Sequence, residues 1–232
     1  MAKKQFFAIL DTETTMENTV ADFAVIIVDR AGTIHNQCAV MVKDHYGKFE
    51  LFHDKAANDI WGYDGLERRK ANYVDMLNSG KRMLASTNAI NKWIAQAIGK
   101  YNPQLTAYNL AFDLDKCEKT GIDLSGFTNS FCLWQAAVGN ICNTKQFKQF
   151  ALENHAFNKP TEFGNMTMQT NAEIVCGFVK GEFIKEPHTA LEDARDFELP
   201  ILKEILKKKK WQDKITPYNW RAFQVKDHFA VK

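Results

Sequence analysis

The sequence has few cysteines, and they show no regular spacing. There are five of them, which is an odd number, and no two form a C-x-x-C pair: Cys38, Cys117, Cys132, Cys142 and Cys176. A disulfide framework needs paired cysteines, and a zinc site needs Cys or His ligands at close spacing. We therefore expect free thiols, mostly in packing roles, in a reducing intracellular compartment such as the cytoplasm.

The sequence also lacks long apolar runs and an excess of charge of either sign. Its first apolar run, residues 6–10, meets acidic residues at once, which is unlike the hydrophobic region of a secretory signal. No stretch approaches the roughly 20 apolar residues that span a bilayer, so we expect no membrane partner. The formal net charge is only +2. The total charge therefore does not indicate a nucleic-acid binder, and only a local basic patch would.

The chain contains no internal repeat and no low-complexity linker, and its apolar content is sufficient for a sizeable core. We predict one domain over residues 1–211, with an irregular, aromatic-rich insert at 44–84. The tail at 212–232 is predicted to pack on the same domain, because it contains several aromatic residues.

Apolar runs and alternation predict five strands, and the first three are close enough in sequence to form an antiparallel meander. Apolar residues at helical spacing then alternate with the later strands. The fold class is therefore α/β, with a mixed five-stranded sheet flanked by helices. The predicted strands are 5–10, 22–29, 34–43, 105–108 and 131–134. The predicted helices are 86–100, 112–120, 144–156, 171–179 and 190–211, with short helical pieces in 44–84.

Two carboxylates follow the first strand directly. Asp11 and Glu13 are two positions apart, so in extended chain both side chains point to one face. Open α/β sheets place functional sites at such strand ends. Like charges at this spacing repel unless a cation lies between them. Taken alone, the pair is also compatible with an ordinary turn or helix-capping role.

Two further stretches place polar residues at element ends. Asn109 and Asp113 follow the fourth strand, where an acid in a first helical turn also suits the helix dipole. His188 precedes the last helix and Asp193 lies in its first turn. Thr189 and Glu192 predict a capping box there. A single histidine before a helix is more often structural than catalytic.

Together the three stretches supply four carboxylates and one titratable base to the same edge of the sheet. Mg²⁺ takes oxygen ligands, commonly carboxylates with substrate phosphate oxygens. A pair of divalent ions activates the attacking water and stabilises the leaving oxygen of a phosphodiester. The pattern therefore predicts a site for two Mg²⁺ or Mn²⁺ ions.

The three stretches ILDTETT, YNLAFD and HTALED resemble the three exonuclease motifs of the DnaQ-like DEDDh family, in the family's order. The resemblance implies an RNase H-like fold and 3′→5′ hydrolysis of nucleic acid to nucleoside 5′-monophosphates. It implies these metal ligands: Asp11, Glu13, Asp113 and Asp193. It implies that His188 is the general base. It also implies these contacts with the terminal nucleotide: Thr12, Thr14, Asn109 and Phe112.

The resemblance leaves several functions open. The leading expectation is a 3′→5′ exonuclease on single-stranded DNA or RNA, and a proofreading role would need a polymerase or replication partner in trans. A second expectation is an oligoribonuclease-type enzyme for very short or signalling oligonucleotides. A third is a non-catalytic nucleic-acid-binding domain on the same fold. All five catalytic positions are present, which disfavours the third.

Overall fold

The computed structural model describes residues 4–225, which form a six-stranded sheet, a small two-stranded sheet and flanking helices. The strands are β1 (Phe6–Thr14), β2 (Val20–Asp29), β3 (Ile34–Val42), β4 (Leu84–Ala85), β5 (Gln104–Ala107), β6 (Ser130–Cys132), β7 (Met166–Thr167) and β8 (Gln224–Val225). The α-helices are α1 (Tyr63–Asn78), α2 (Thr87–Tyr101), α3 (Leu110–Thr120), α4 (Leu133–Ala137), α5 (Lys145–Glu153), α6 (Ala172–Lys180), α7 (Ala190–Asp193) and α8 (Leu199–Leu206). Within the described residues, no helix is both long enough and apolar enough to cross a membrane.

The large sheet has the order β4-β3-β2-β1-β5-β6. The first three strands form an antiparallel meander, and β5 and β6 then add in parallel beside β1. This confirms the predicted α/β class with a mixed sheet, and the arrangement is compatible with an RNase H-like fold. The strand β4 is additional to the five predicted strands. It pairs with β3 over only two residues, which is too short for a pattern to indicate.

The sheet separates two apolar layers. Phe7 and Ile9 of β1 point to the layer formed with α4, α6 and α8. Ala8 and Leu10 point to the opposite layer, formed with α2 and α3. Burial on both faces explains why β1 reads as a continuous apolar run rather than an alternating one.

The first strand is longer than predicted. It continues through the acidic pair to Thr14, and Asp11 and Glu13 are paired with Ala24 and Asp22 of β2. The register shifts between Glu13 and Thr14, which indicates an irregularity where the strand leaves the sheet. The carboxylates are therefore held by regular sheet hydrogen bonding rather than by a loop.

The insert at 44–84 contains one long helix, α1, and the prediction of short helical pieces was wrong. Its buried face is formed by Leu66, Arg69, Tyr73 and Met76, at helical spacing. An arginine in the middle of this face interrupts the apolar pattern, which is why periodicity did not indicate the helix. The backbone N–H of Phe52 donates a hydrogen bond of 2.9 Å to the carbonyl of Thr14, which joins the insert to β1.

The last long helix is interrupted, whereas one continuous helix was predicted over 190–211. A π-helical turn, Ala194–Glu198, lies between α7 and α8, and α8 ends at Leu206. The chain then returns to the body, where Trp211 and Phe223 are buried. Residues 226–232, the end of the predicted tail, lie outside the described part of the chain.

Candidate active site

The three motifs meet in one cleft of about 420 Å³. Asp11 and Glu13 come from β1, Asp113 from α3, and His188 and Asp193 from the start of α7. The predicted substrate contacts lie there too: Thr12, Thr14, Asn109 and Phe112. Segments that are far apart in sequence thus converge at the edge of the sheet where β1 ends. The order of the motifs along the sequence does not by itself show that they meet in space.

Asp11 and Glu13 continue the face of β1 that carries Phe7 and Ile9. Oδ2 of Asp11 is buried and has no hydrogen-bond partner among the described residues. Burial raises the pKa of Asp11 well above its usual value, and the charges of neighbouring carboxylates raise it further. Burial likewise raises the pKa of Glu13 to about 8, although the positive charge of Arg69 acts in the opposite direction.

Asp113 lies in the first turn of α3 and is oriented by Thr12. The Thr12 hydroxyl donates a hydrogen bond to Oδ1 of Asp113 at 2.8 Å. Burial raises the pKa of Asp113 to about 7, and the hydrogen bond from Thr12 partly opposes this rise. The Thr12 hydroxyl is thus engaged with a carboxylate of the site, so its observed contact is within the protein.

Asp193 is anchored by one oxygen and free at the other. Its Oδ2 accepts a hydrogen bond from the backbone N–H of Thr189 at 3.0 Å. Its Oδ1 is buried without a hydrogen-bond partner among residues 4–225. The predicted capping box is wrong in its details, because the Thr189 hydroxyl donates to the carboxylate of Glu192 at 2.7 Å rather than accepting a backbone N–H.

His188 is held in a strained conformation by the insert. Its φ is +54°, in the left-handed region that non-glycine residues rarely adopt. Its ring contacts the ring of Trp61 with centroids 4.4 Å apart, and its carbonyl accepts a hydrogen bond from the hydroxyl of Tyr73. Its Nδ1 is 3.9 Å from Oε1 of Glu13. Backbone strain that surrounding contacts maintain is typical of functional sites.

His188 is less basic than a free histidine. Burial and the positive charge of Arg69 lower its pKa to about 4, so the imidazole is neutral at neutral pH. An unperturbed histidine has a pKa of about 6.5, so the site makes His188 a weaker base than a free imidazole. A neutral ring is able to accept a proton, and the negative charge of a bound phosphate would strengthen it as a base.

The chemistry of the cleft fits divalent cations. Three carboxylate oxygens in it are buried without hydrogen-bond partners among the described residues: Asp11 Oδ2, Asp193 Oδ1 and Glu198 Oε2. Buried carboxylates without partners are costly, whereas oxygen ligands are what Mg²⁺ and Mn²⁺ prefer. Glu13, His188 and Asp193 each offer a ligand atom, all within 4.8 Å of one another. This group shares Glu13 and Asp193 with the predicted ligands and adds His188.

Aromatic rings line the same cleft. Phe112, one of the predicted substrate contacts, is 43% exposed, and Phe52 of the insert is 42% exposed. Trp61 lines the cleft beside them. Asn109 has φ +77° and makes no side-chain capping hydrogen bond within the described chain, so its amide is available to the cleft. Exposed rings and free amides are suited to a nucleotide base.

Three charged residues of the site were missed by sequence reasoning. Glu186 and Glu198 line the cleft, and burial raises the pKa of Glu186 to about 7. Arg69 lies beside the cleft residues Trp61 and Phe52. Its guanidinium is 4.9 Å from the centroid of the Trp61 ring and donates a hydrogen bond to the Phe52 carbonyl at 2.6 Å. Glu186 lies two residues before His188, which is a usable signal. Arg69 and Glu198 occupy helix interiors, where charged residues are usually solvated.

A buried ion-pair network supports the third motif. Arg82 donates to Asp22 at 3.1 Å and to Glu192 at 2.6 Å, and its side chain is 1% exposed. The second oxygen of Asp22 accepts the backbone N–H of Ala190 at 3.0 Å. The network therefore fixes the start of α7, and with it His188 and Asp193, against β2.

Replacing Arg82 by methionine is expected to destabilise the protein by about 3–5 kcal/mol, because it leaves Asp22 buried without its partner. Urea unfolding measures this loss of free energy. Lys70→Met is the matched control, since Lys70 pairs with Glu50 and Glu67 on the exposed side of α1. Exposed pairs contribute about 0–1 kcal/mol. Equal losses in the two variants would contradict the role given to the network.

The metal-free protein is expected to lose stability as the pH rises from about 5 to 8. Glu13 and Asp113 have folded pKa values of about 8 and 7, while unfolded carboxylates titrate near ~4. The folded chain therefore retains protons that the unfolded chain has released, and its stability falls with rising pH. In EDTA we expect the Tm to decrease by about 5 °C or more over this range. Mn²⁺ should reverse the decrease, and a Tm that rises in EDTA would contradict it.

Comparison with known proteins adds no family to these observations. No model of a known protein family matches the chain, and a search of curated proteins finds no similar sequence.

Proposed function

We propose that the chain is a metal-dependent 3′→5′ exonuclease of the DnaQ-like DEDDh type, acting on single-stranded nucleic acid. The observation that carries the proposal is the convergence of the three motifs in one cleft, with buried carboxylate oxygens that lack partners among the described residues. Such an arrangement opposes folding unless cations bind there. The free-energy cost of burying these carboxylates is explained if binding of cations is part of the function.

The residues present are suited to two Mg²⁺ or Mn²⁺ ions. Those that would hold them are Asp11, Glu13, Asp113 and Asp193, with Glu13 and Asp193 closest to His188. When bound, such a pair of ions activates a water molecule and stabilises the leaving 3′-oxygen of a phosphodiester. The products are a nucleoside 5′-monophosphate and a strand shorter by one residue.

His188 is the general base in this proposal. Its neutral imidazole accepts the proton of the attacking water, and its position beside Glu13 keeps it within the cleft. Trp61 and the Tyr73 hydroxyl restrict the ring and the backbone of His188. Thr12 keeps Asp113 in its orientation. The insert thus contributes to the geometry of catalysis although it carries none of the three motifs.

The aromatic lining favours an unpaired 3′ end. A base has to leave a duplex before it can lie against Phe52, Trp61 or Phe112. Each such stacking contact contributes about 1–3 kcal/mol and tolerates every base. The proposed preference is therefore for single strands without strong sequence dependence.

A second candidate is an enzyme for very short oligonucleotides. The insert places Phe52 and Trp61 over the cleft, whose volume of about 420 Å³ lies in the range of small-molecule sites. A non-catalytic binding domain is disfavoured because all four carboxylates and His188 line the same cleft.

We also propose a reducing compartment, because all five cysteines, each within the described residues, are free thiols.

A digestion series tests the proposal. The substrates are 5′-labelled DNA and RNA of matched sequence, each as a dinucleotide, a pentanucleotide and a long single strand, with Mg²⁺, Mn²⁺ or EDTA. We expect a metal-dependent ladder that shortens from the 3′ end on the long strands. Cleavage confined to the dinucleotide would favour the second candidate. Binding without shortening of any substrate would favour the non-catalytic domain.

A further inference from the structure

The π-helical turn after α7 brings an additional carboxylate to the cleft. In an α-helix of about 3.6 residues per turn, side chains five positions apart do not share a face. The turn Ala194–Glu198 instead has the wider i→i+5 pattern. Asp193 and Glu198, five residues apart, accordingly both line the cleft. Single π-helical turns within regular helices frequently occur at functional sites.

The two oxygens of Glu198 have different surroundings. The residue is 2% exposed, and its Oε1 accepts a hydrogen bond from the backbone N–H of Tyr108 at 3.1 Å. Its Oε2 is buried and lacks a hydrogen-bond partner within residues 4–225. Tyr108 directly precedes Asn109 and α3. One oxygen is therefore anchored to the second motif, while the other remains available in the cleft.

Glu198 acts on the side of the cleft that holds Asp11 and Asp113. After burial, its charge is the largest influence that raises the pKa of Asp11. The charge of Asp113 is, after burial, the largest influence that raises the pKa of Glu198 itself. The compact group of ligand atoms on the His188 side, as found among the described residues, does not include Glu198. The charge of Glu198 also raises the pKa of Asp193, so it acts on a carboxylate from each of the three motifs.

We infer that Glu198 is a further carboxylate of the cation centre, supporting a cation beside Asp11 and Asp113 through its charge and its free oxygen. This inference rests on the proposed function and adds one residue to it. Mg²⁺ keeps several of its waters when it binds to proteins, and a carboxylate outside the ligand shell accepts hydrogen bonds from them. Glu198 is therefore a positioning residue, acting on the cation rather than on the substrate.

A purely structural role does not account for a carboxylate at this position. Glutamine would accept the same hydrogen bond from Tyr108 without burying a charge, which is costly in an apolar interior. The charge of Glu198 instead disfavours folding of the metal-free protein, either by repulsion or because the carboxylate has to bind a proton to avoid it. It becomes favourable only when a cation is present, and this contrast provides the test.

The experiment compares the wild-type chain with Glu198→Gln. Calorimetric titration with Mn²⁺ measures affinity, and thermal unfolding in EDTA measures the stability of the metal-free protein. We expect E198Q to bind Mn²⁺ about 10–100-fold more weakly, as outer-shell substitutions do. We expect its Tm in EDTA to rise, because a repelled charge has been removed. Glu198→Asp, which keeps the charge, should retain more of the affinity than E198Q.

Glu204→Gln is the matched control, because Glu204 lies on α8 six positions after Glu198, pairs with Lys207 and is not part of the cleft lining. A loss of affinity in E204Q equal to that in E198Q would overturn the specific role of Glu198. Unchanged Mn²⁺ affinity in E198Q, or a lower Tm in EDTA, would also overturn it and leave a structural hydrogen bond. If the wild type binds Mn²⁺ and E198Q binds it weakly while no substrate is cleaved, the exonuclease proposal fails and the role of Glu198 stands.

Discussion

Asp11→Asn is expected to abolish metal-dependent cleavage while stabilising the metal-free protein. Asparagine has the shape of aspartate but lacks its charge, so the proposed cation centre would lose one of its carboxylates. Loss of metal-ion stabilisation is worth several kcal/mol, so we expect the rate to fall by about 10³-fold or more. The same change removes a buried charge on which Glu198, Asp193, Asp113 and Glu13 all act. The Tm in EDTA should therefore rise, and the increase in Tm caused by Mn²⁺ should largely disappear.

The control for this prediction is Asp115→Asn. Asp115 follows Asp113 on α3 by two positions, and its side chain is 45% exposed, where it pairs with Lys116 and Lys119. The same chemical change there should leave the cleavage rate and the response to Mn²⁺ unaltered. Measured cleavage by Asp11→Asn at the wild-type rate would remove Asp11 from the mechanism. A lower Tm in EDTA would show that its charge stabilises the fold.

His188→Asn is expected to reduce cleavage by about 10²–10⁴-fold, the usual contribution of a general base. Asparagine tolerates the left-handed backbone of this position, so the loop should keep its shape. An amide does not accept the proton of the attacking water. If His188 acts as a base, Mn²⁺ affinity should stay close to that of the wild type. A large loss of affinity would instead make His188 a metal ligand, in keeping with its position near Glu13 and Asp193.

His155→Asn provides the matched control for that substitution. His155 also has a positive φ, at +50°, and it is exposed at the end of α5, where it does not line the cleft. An effect on the fold that comes only from replacing a histidine of positive φ by asparagine should be equal in His188→Asn and His155→Asn. Single-turnover rates, measured at saturating Mn²⁺, separate the chemical step from metal binding. Equal rates in His188→Asn and the wild type would exclude His188 as the base.

The sequence was sufficient to predict the layout of the sheet and the residues that meet at its edge. The apolar runs of β1, β2 and β3 were readable because burial of both faces leaves an uninterrupted pattern. Asp11 and Glu13 were predicted to share a face, since alternation along a strand determines side-chain direction. Asp113 and His188 could be placed because a strand end and a helix start leave recognisable signals. The chemical roles of these residues remain predictions.

Other features depend on tertiary context that a single sequence does not reveal. Arg69 lies on the buried face of α1, and Arg82 is buried between Asp22 and Glu192, whereas both residues look like solvated charges in the sequence. The π-helical turn has no sequence signature comparable to a cap, so the contribution of Glu198 to the cleft could not be predicted. The short strand β4 exists because β3 provides an edge for it. In each case a distant partner determines the local structure.

The distribution of the site along the chain has a consequence for how the protein is made. β1 is synthesised before its neighbour in the sheet, β5, which begins at Gln104, and the carboxylate of Asp193 comes later still. A growing chain can already contain the β1–β3 meander, yet it lacks His188 and Asp193 until the third motif has been synthesised. Such a chain cannot assemble the complete cleft. The position of the third motif therefore makes assembly of the cleft depend on a segment that is synthesised well after β1 and β5.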